Sequence, residues 1–210
     1  MDKLDSALRQ LFDNIVVGDS TAVSGQLSAW PHLVLASIQR GATRQEPNEL
    51  FLDQVKRCVY TSDTALHIAA AAYQTEILRM LLAAGADVHA RNRRGQQALH
   101  YASIGAPGSA WWNPSAQSAA IILLIEAGAD ANAVDMSGVS PLHKAVRTRC
   151  AEAVRTLLAH GANAALKNKS GSTPMVLAIQ GTGRGGTGSF EAKAQQQEIA
   201  LMLKQALKAV

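Results

Sequence analysis

One apolar pattern returns along this chain at a fixed interval, and that period constrains the fold more than any single motif does. Thr64-Ala65-Leu66-His67-Ile68-Ala69-Ala70 leads to Leu81-Leu82-Ala83-Ala84-Gly85-Ala86-Asp87. Gln97-Ala98-Leu99-His100-Tyr101-Ala102-Ser103 leads to Leu124-Ile125-Glu126-Ala127-Gly128-Ala129-Asp130. Ser140-Pro141-Leu142-His143-Lys144-Ala145-Val146 leads to Leu157-Leu158-Ala159-His160-Gly161-Ala162-Asn163, and a fourth copy opens at Thr173-Pro174-Met175-Val176-Leu177-Ala178. His67 and His100 stand 33 residues apart, as do Gly128 and Gly161, and His143 and Val176. His100 and His143 are 43 apart, so the second copy carries ten extra residues. A unit of this length cannot bury its own apolar faces, whereas several stacked in series can.

Each copy has a physical logic. Pro141 and Pro174 stand where a first helical turn needs no backbone donor. A short apolar helix follows, a polar turn breaks it, and a second helix runs through a Leu-Leu pair or its equivalent. Gly85, Gly128 and Gly161 then end that helix, as a residue in the left-handed region would. Polar turns such as Arg91-Asn92-Arg93-Arg94-Gly95 and Asp135-Met136-Ser137-Gly138 lead into the next copy. Composition agrees. Apolar residues make up 48% of the 210 but aromatics only 4%, so the core is built of Ala, Leu, Ile and Val. Ala and Leu favour helix, and small side chains let helices approach closely.

Thr-Pro-Leu-His-x-Ala-Ala followed by Leu-Leu-x-x-Gly-Ala-Asp-x-Asn-Ala resembles the ankyrin repeat. This chain keeps most of that pattern in Ser140-Pro141-Leu142-His143 and Asp130-Ala131-Asn132-Ala133. It departs from it at Ala65 and Ala98, where Pro is usual, and at Val176, where the last His would stand. The resemblance covers residues 61–210 and implies an all-α ankyrin-repeat solenoid of stacked helix–turn–helix units joined by turns or short hairpins. Four repeats are expected, at about 61–92, 93–135, 136–168 and 169–210, the last ending on a capping helix. Residues 1–60 match less well and read as an N-terminal helical cap. There, 6–17 and 21–27 form a degenerate helix–turn–helix around Gly18-Asp19. Residues 49–60, with Phe51, Leu52, Val55 and Val59 on one face, read as a short inserted helix.

Two insertions break the period between the helices of a copy. The first, 104–115, carries Trp111 and Trp112; the second, 181–189, is Gly-rich and carries Arg184. The resemblance implies that both lie at the same end of the stack, opposite the connecting turns. Trp111 and Trp112 either anchor a second binding surface, since rigid aromatics dominate interface energy, or fold back onto the stack. The Gly-rich loop precedes a helix, whose N-terminus favours anions, but it lacks the Lys-Ser/Thr ending of a phosphate loop and the strand that must precede one.

His67, His100 and His143 occupy equivalent positions in successive copies, one layer apart, and so cannot converge on one metal ion. The resemblance implies instead that each bonds the backbone turns of the adjacent repeat. It also implies that turn tips and front helices form a concave binding face. On that face the expected partner-binding residues are Arg91, Arg93, Arg94, Tyr101, Met136, Lys144, Arg147, Lys167 and Lys169. The insertion loops contribute Trp111, Trp112 and Arg184 as second candidates.

No nucleophile, base and orienting group stand in a recognisable spacing, so neither an enzyme nor a cofactor is expected. The charge of +4 permits an acidic protein segment as partner without demanding one. A nucleic acid is not expected, because no basic stripe interleaved with stacking aromatics is present. Cys58 and Cys150 sit in no metal-like spacing and read as idle thiols. With acids near Met1 and no run of about 20 apolar residues, the expectation is a monomeric cytoplasmic protein that does not enter a membrane. The function expected is therefore protein–protein interaction through a rigid, mildly basic concave surface. Two alternatives are inhibition through the Trp loop and anion or nucleotide binding at the Gly-rich loop.

Overall fold

The computed structural model describes residues 3–43, 50–180 and 190–208. Helices α1 (Lys3–Val17) and α2 (Ser20–Ala29) come first. Four further pairs follow: α3 (Ala65–Ala71) with α4 (Thr75–Ala83), α5 (Ala98–Ala102) with α6 (Pro114–Glu126), α7 (Pro141–Arg147) with α8 (Ala151–Ala159), and α9 (Pro174–Ile179) with α10 (Phe190–Ala206). They stack in two rows. α1, α3, α5, α7 and α9 each touch the next to form the inner row, and α2, α4, α6, α8 and α10 form the outer one. The chain is thus the all-α solenoid that its period predicts.

The inner helices are packed on nearly every side. All of α3 and α5 is buried, and so is α7 except for Arg147. Such burial is possible only because these helices are short and rich in alanine, which lets neighbouring layers come close. Two of the outer helices are amphipathic: Ile77, Leu78 and Leu81 of α4 and Val154 and Leu157 of α8 face inward. Ser140 Oγ and Thr173 Oγ1 accept from the backbone nitrogens of His143 and Val176, capping α7 and α9 where Pro141 and Pro174 begin the first turn. Gly85, Gly128 and Gly161 follow the outer helices with φ of +92°, +99° and +83°, the left-handed ending that their positions predict.

The turns between pairs repeat one hydrogen-bond design. Asn92 Oδ1 accepts from the nitrogens of Arg94 and Gln96, Asp135 Oδ1 from Ser137 and Val139, and Asn168 Oδ1 from Ser170 and Ser172, all at 2.8–3.1 Å. Each tip then bonds to the tip before it. Arg93 N donates to Thr61 O, Met136 N to Arg94 O and Lys169 N to Ser137 O, at 2.9–3.0 Å. The tips therefore lie side by side as a ladder along one edge.

Residues 50–60, the described part of the segment expected to form a short helix, do not form one. β1 (Phe51–Leu52) pairs antiparallel with β2 (Arg57–Cys58), and a single 3-10 turn, Asp53–Val55, joins them. Lys56 turns the chain back with φ of +48°. Of the four apolar residues expected on one face, Leu52, Val55 and Val59 are buried, and Phe51 is exposed because the strand turns it to the other side. The hairpin lies beside the inner helices, and Arg57 Nη2 donates to Ile104 O at 3.0 Å, 47 residues along the chain.

Candidate partner-binding site

The ladder of turns carries a row of exposed cations. Arg91, Arg93, Arg94, Lys167 and Lys169 are all exposed, and Met136, between them, is 66% exposed. Several are held in place. Arg91 Nη1 donates to the carbonyls of Gly95 and Val134 at 2.8 Å, which orders its stem across two turns. Arg94 lies over the Tyr60 ring, 5.0 Å from its centre, and its Nη1 donates to the Tyr60 hydroxyl at 3.0 Å. These contacts fix the guanidinium groups before any partner arrives.

Two residues expected to be exposed on this face are buried beneath it. Tyr101 is only 3% exposed, because α5 is sandwiched between α3 and α7. Its hydroxyl stands 2.8 and 2.9 Å from the two oxygens of Asp63 and accepts from Asn92 Nδ2 at 2.9 Å, tying the start of the array to the first turn. Burial raises the Asp63 carboxyl above its usual range, though the nearby His67 and these hydrogen bonds oppose the shift. Lys144 is 4% exposed, and its ammonium stands 3.6 Å from Asp135 Oδ2. Burial first, then the charges of Arg147 and Arg94, push that ammonium down to about 8, against the pull of Asp135. Arg147 is half-buried at the end of the same helix.

Three residues that the sequence did not single out complete this face. Lys56, Arg57 and Tyr60 of the hairpin region line, together with Arg94, Lys144 and Arg147, a cavity of about 300 Å³, to which Gln96, Tyr101 and Ile104 also contribute. The adjacent Lys56-Arg57 pair was visible in the sequence. Nothing there placed it over the inner helices, since a helical reading of 49–60 gives it no such position.

The Trp-bearing insertion folds onto the stack. Trp111 and Trp112 are half-buried and pack against the core. Trp112 Nε1 donates to Gln117 Oε1 at 2.8 Å, and Gln117 Nε2 donates to Ala102 O at 2.9 Å, which satisfies a carbonyl at the end of α5. Gly105 makes this seat possible. A Cβ there would stand 2.4 Å from Trp112 Nε1 and 2.5 Å from Cys150 Sγ. Ile104 O also accepts from the Tyr73 hydroxyl, so the loop is anchored to the α3–α4 pair and the hairpin. The Gly-rich insertion at 181–189, with Arg184, lies outside the described residues.

The histidines do what the repeat implies. His67 Nδ1 takes a hydrogen bond from Thr64 N, His100 Nδ1 from Gln97 N and His143 Nδ1 from Ser140 N, at 3.2–3.3 Å. Each Nδ1 is therefore an acceptor, and each Nε2–H donates onward, to the carbonyls of Gln96, Val139 and Ser172 at 2.9–3.1 Å. Both ring nitrogens are engaged in the neutral form. Burial, with Lys144 next, lowers the His100 imidazole to about 4, and burial lowers that of His143. Among the described residues no group of His, Cys, Asp and Glu could hold a metal ion, and no helix is long and apolar enough to cross a membrane.

Residues 55–102 and 124–178 match the family model of ankyrin repeats in many copies. The chain is an ankyrin-repeat protein. Its ankyrin region is similar to Ankyrin repeat and SOCS box protein 16 of Mus musculus, 38% identical over 117 residues that make up 56% of this chain and 25% of the relative. It is 34% identical to B-cell lymphoma 3 protein homolog of Mus musculus over 118 residues, again 56% of this chain and 25% of the relative. To neurogenic locus notch homolog protein 1 of Homo sapiens it is 30% identical over 143 residues, 56% of this chain and 6% of that protein. The match therefore spans a quarter or less of these curated relatives' length. An ankyrin array of this kind is a protein-interaction module.

Proposed function

We propose that this ankyrin array binds a protein partner through its concave face, and that the partner presents an acidic segment there. The observation that carries the reading is the ladder of turns, which sets Arg93, Arg94, Met136 and Lys169 on successive tips bonded to one another. A row of cations around one exposed thioether suits an extended acidic chain that also offers an apolar side chain. Rigidity supports it as well. The arginine stems are ordered in advance, so binding loses little conformational entropy.

The test is capture of protein partners, with nuclease present, by the wild-type chain and by Arg93→Glu/Arg94→Glu. A partner retained by wild type and lost from the charge-reversed variant, at unchanged melting temperature, is the expected result. A partner held equally by both would move the interface away from this face. Trp111→Ala/Trp112→Ala serves as the comparison, because loss of binding in that variant alone would place the contact on the insertion loop.

A further inference from the structure

The ladder of turns repeats in side-chain chemistry as well as in backbone, and its repeat has a length. Each tip is closed by one bond within it, from Asn92 N to Gln96 O, Asp135 N to Val139 O and Asn168 N to Ser172 O, and is joined to the tip before by one bond across. The chain therefore passes twice per tip. Neighbouring passes in a hydrogen-bonded ladder lie about 4.8 Å apart, so equivalent residues of successive tips are about 10 Å apart. Arg93, Met136 and Lys169 are such equivalents, since the nitrogen of each donates to the preceding tip. Arg91, Val134 and Lys167 form a second set, each one residue before the Asn or Asp whose side chain accepts from its tip. Both sets run cation, apolar, cation. The four cations are exposed, Met136 is 66% exposed and Val134 38%, and neither apolar residue belongs to the core.

We propose that this face selects its partner by spacing: the bound segment runs along the ladder in an extended, polyproline-like conformation and carries an apolar residue with one acidic residue three positions before it and another three positions after. The proposal rests on the reading of the concave face as a surface for an acidic protein segment, and adds the order of that segment's residues. The match is one of pitch. A polyproline II chain rises about 3.1 Å per residue with about three residues per turn, so every third side chain returns to one face after about 9.3 Å, close to the step from tip to tip. Acid, apolar and acid at that interval meet Arg93, Met136 and Lys169 in turn. A β-strand does not offer this, because its side chains alternate and every third one changes face. The second set supports the same occupant. It stands two residues from the first on each tip, a span of at most about 7 Å. A helix, about 10 Å across with its side chains, is wider than that strip, whereas an extended chain lies along it with Met136 and Val134 at its middle and cations at both ends.

The test titrates the full chain, labelled for NMR, with synthetic peptides to millimolar concentration and follows the amide signals of Arg93, Met136 and Lys169. The peptides hold a central leucine between two glutamates, with spacers of one, two or three alanine and proline residues. A further peptide places the same three residues seven positions apart on a helix. The two-residue spacer should bind about threefold tighter than either neighbour, because only there do both acids reach a cation at once. A second arm uses Met136→Lys, an exposed position at which the melting temperature should not move. That variant should prefer a glutamate to the leucine at the centre, with the two-residue spacing kept. Equal affinity at every spacing, lost in high salt, would overturn the register and leave the acidic-segment reading intact. Tightest binding by the helical peptide would overturn the extended conformation. A leucine preference unchanged in Met136→Lys would remove Met136 from the contact and overturn the order of residues. No shift at any tip with any peptide would overturn both the spacing and the reading on which it rests.

Discussion

His100 gives the array a pH response that can be worked out in sign. Its neutral ring accepts from Gln97 N and donates to Val139 O, and its imidazole is held at about 4, below the ordinary 6.5. Between those values the unfolded chain binds a proton that the folded one refuses, so stability is full above pH 6.5 and falls as the pH drops toward 4. We expect the melting temperature to be clearly lower at pH 5 than at pH 7, and His100→Gln to be less stable at pH 7 but to show a shallower acid slope. Equal slopes in the two proteins would show that His100 is not responsible. Tyr101 makes a second prediction at this scale. Tyr101→Phe deletes the hydroxyl that Asp63 and Asn92 share, and should destabilise by about 2 kcal/mol in denaturant titration without altering partner affinity. A loss of affinity at unchanged stability would return Tyr101 to the binding surface.

At the scale of elements, the inserted loop of the second repeat behaves as part of the core. Gly105→Ala would drive a methyl group into Trp112 and Cys150, costing about 1–3 kcal/mol. The cost should shrink when Trp112→Ala is also present, and a double-mutant cycle measures that coupling. Additive effects would mean that the two residues do not share a seat. This is also the scale at which the sequence was least legible. The histidines and the closing glycines were readable because they recur, and each recurrence checks the others. Lys56, Arg57 and Tyr60 occur once, in a segment where Leu52, Val55 and Val59 fit the inward face of a helix and of a hairpin equally well. Strands of two residues leave too little alternation to decide between them. Tyr101 and Lys144 were misplaced for a different reason. A repeat pattern tells which helix faces the concave side, but not that the next layer closes over its side chains.

For the whole molecule, the concave face should act through charge. Partner affinity should fall as salt rises, and Arg93→Glu/Arg94→Glu should both weaken binding and flatten that salt dependence, with the melting temperature within a few degrees of wild type. A salt-insensitive complex would mean that the row of cations is incidental. Most bonds that hold the stack join one layer to the next, as the turn ladder and the histidines do. An array built only that way bends like a leaf spring, each layer yielding a little. The hairpin is an exception, since Arg57, which precedes α3, reaches past that layer to Ile104 behind α5, and the hairpin lines one cavity with α7. It works like the string of a bow, tying the layers of α3 and α5 together from outside the row of helices.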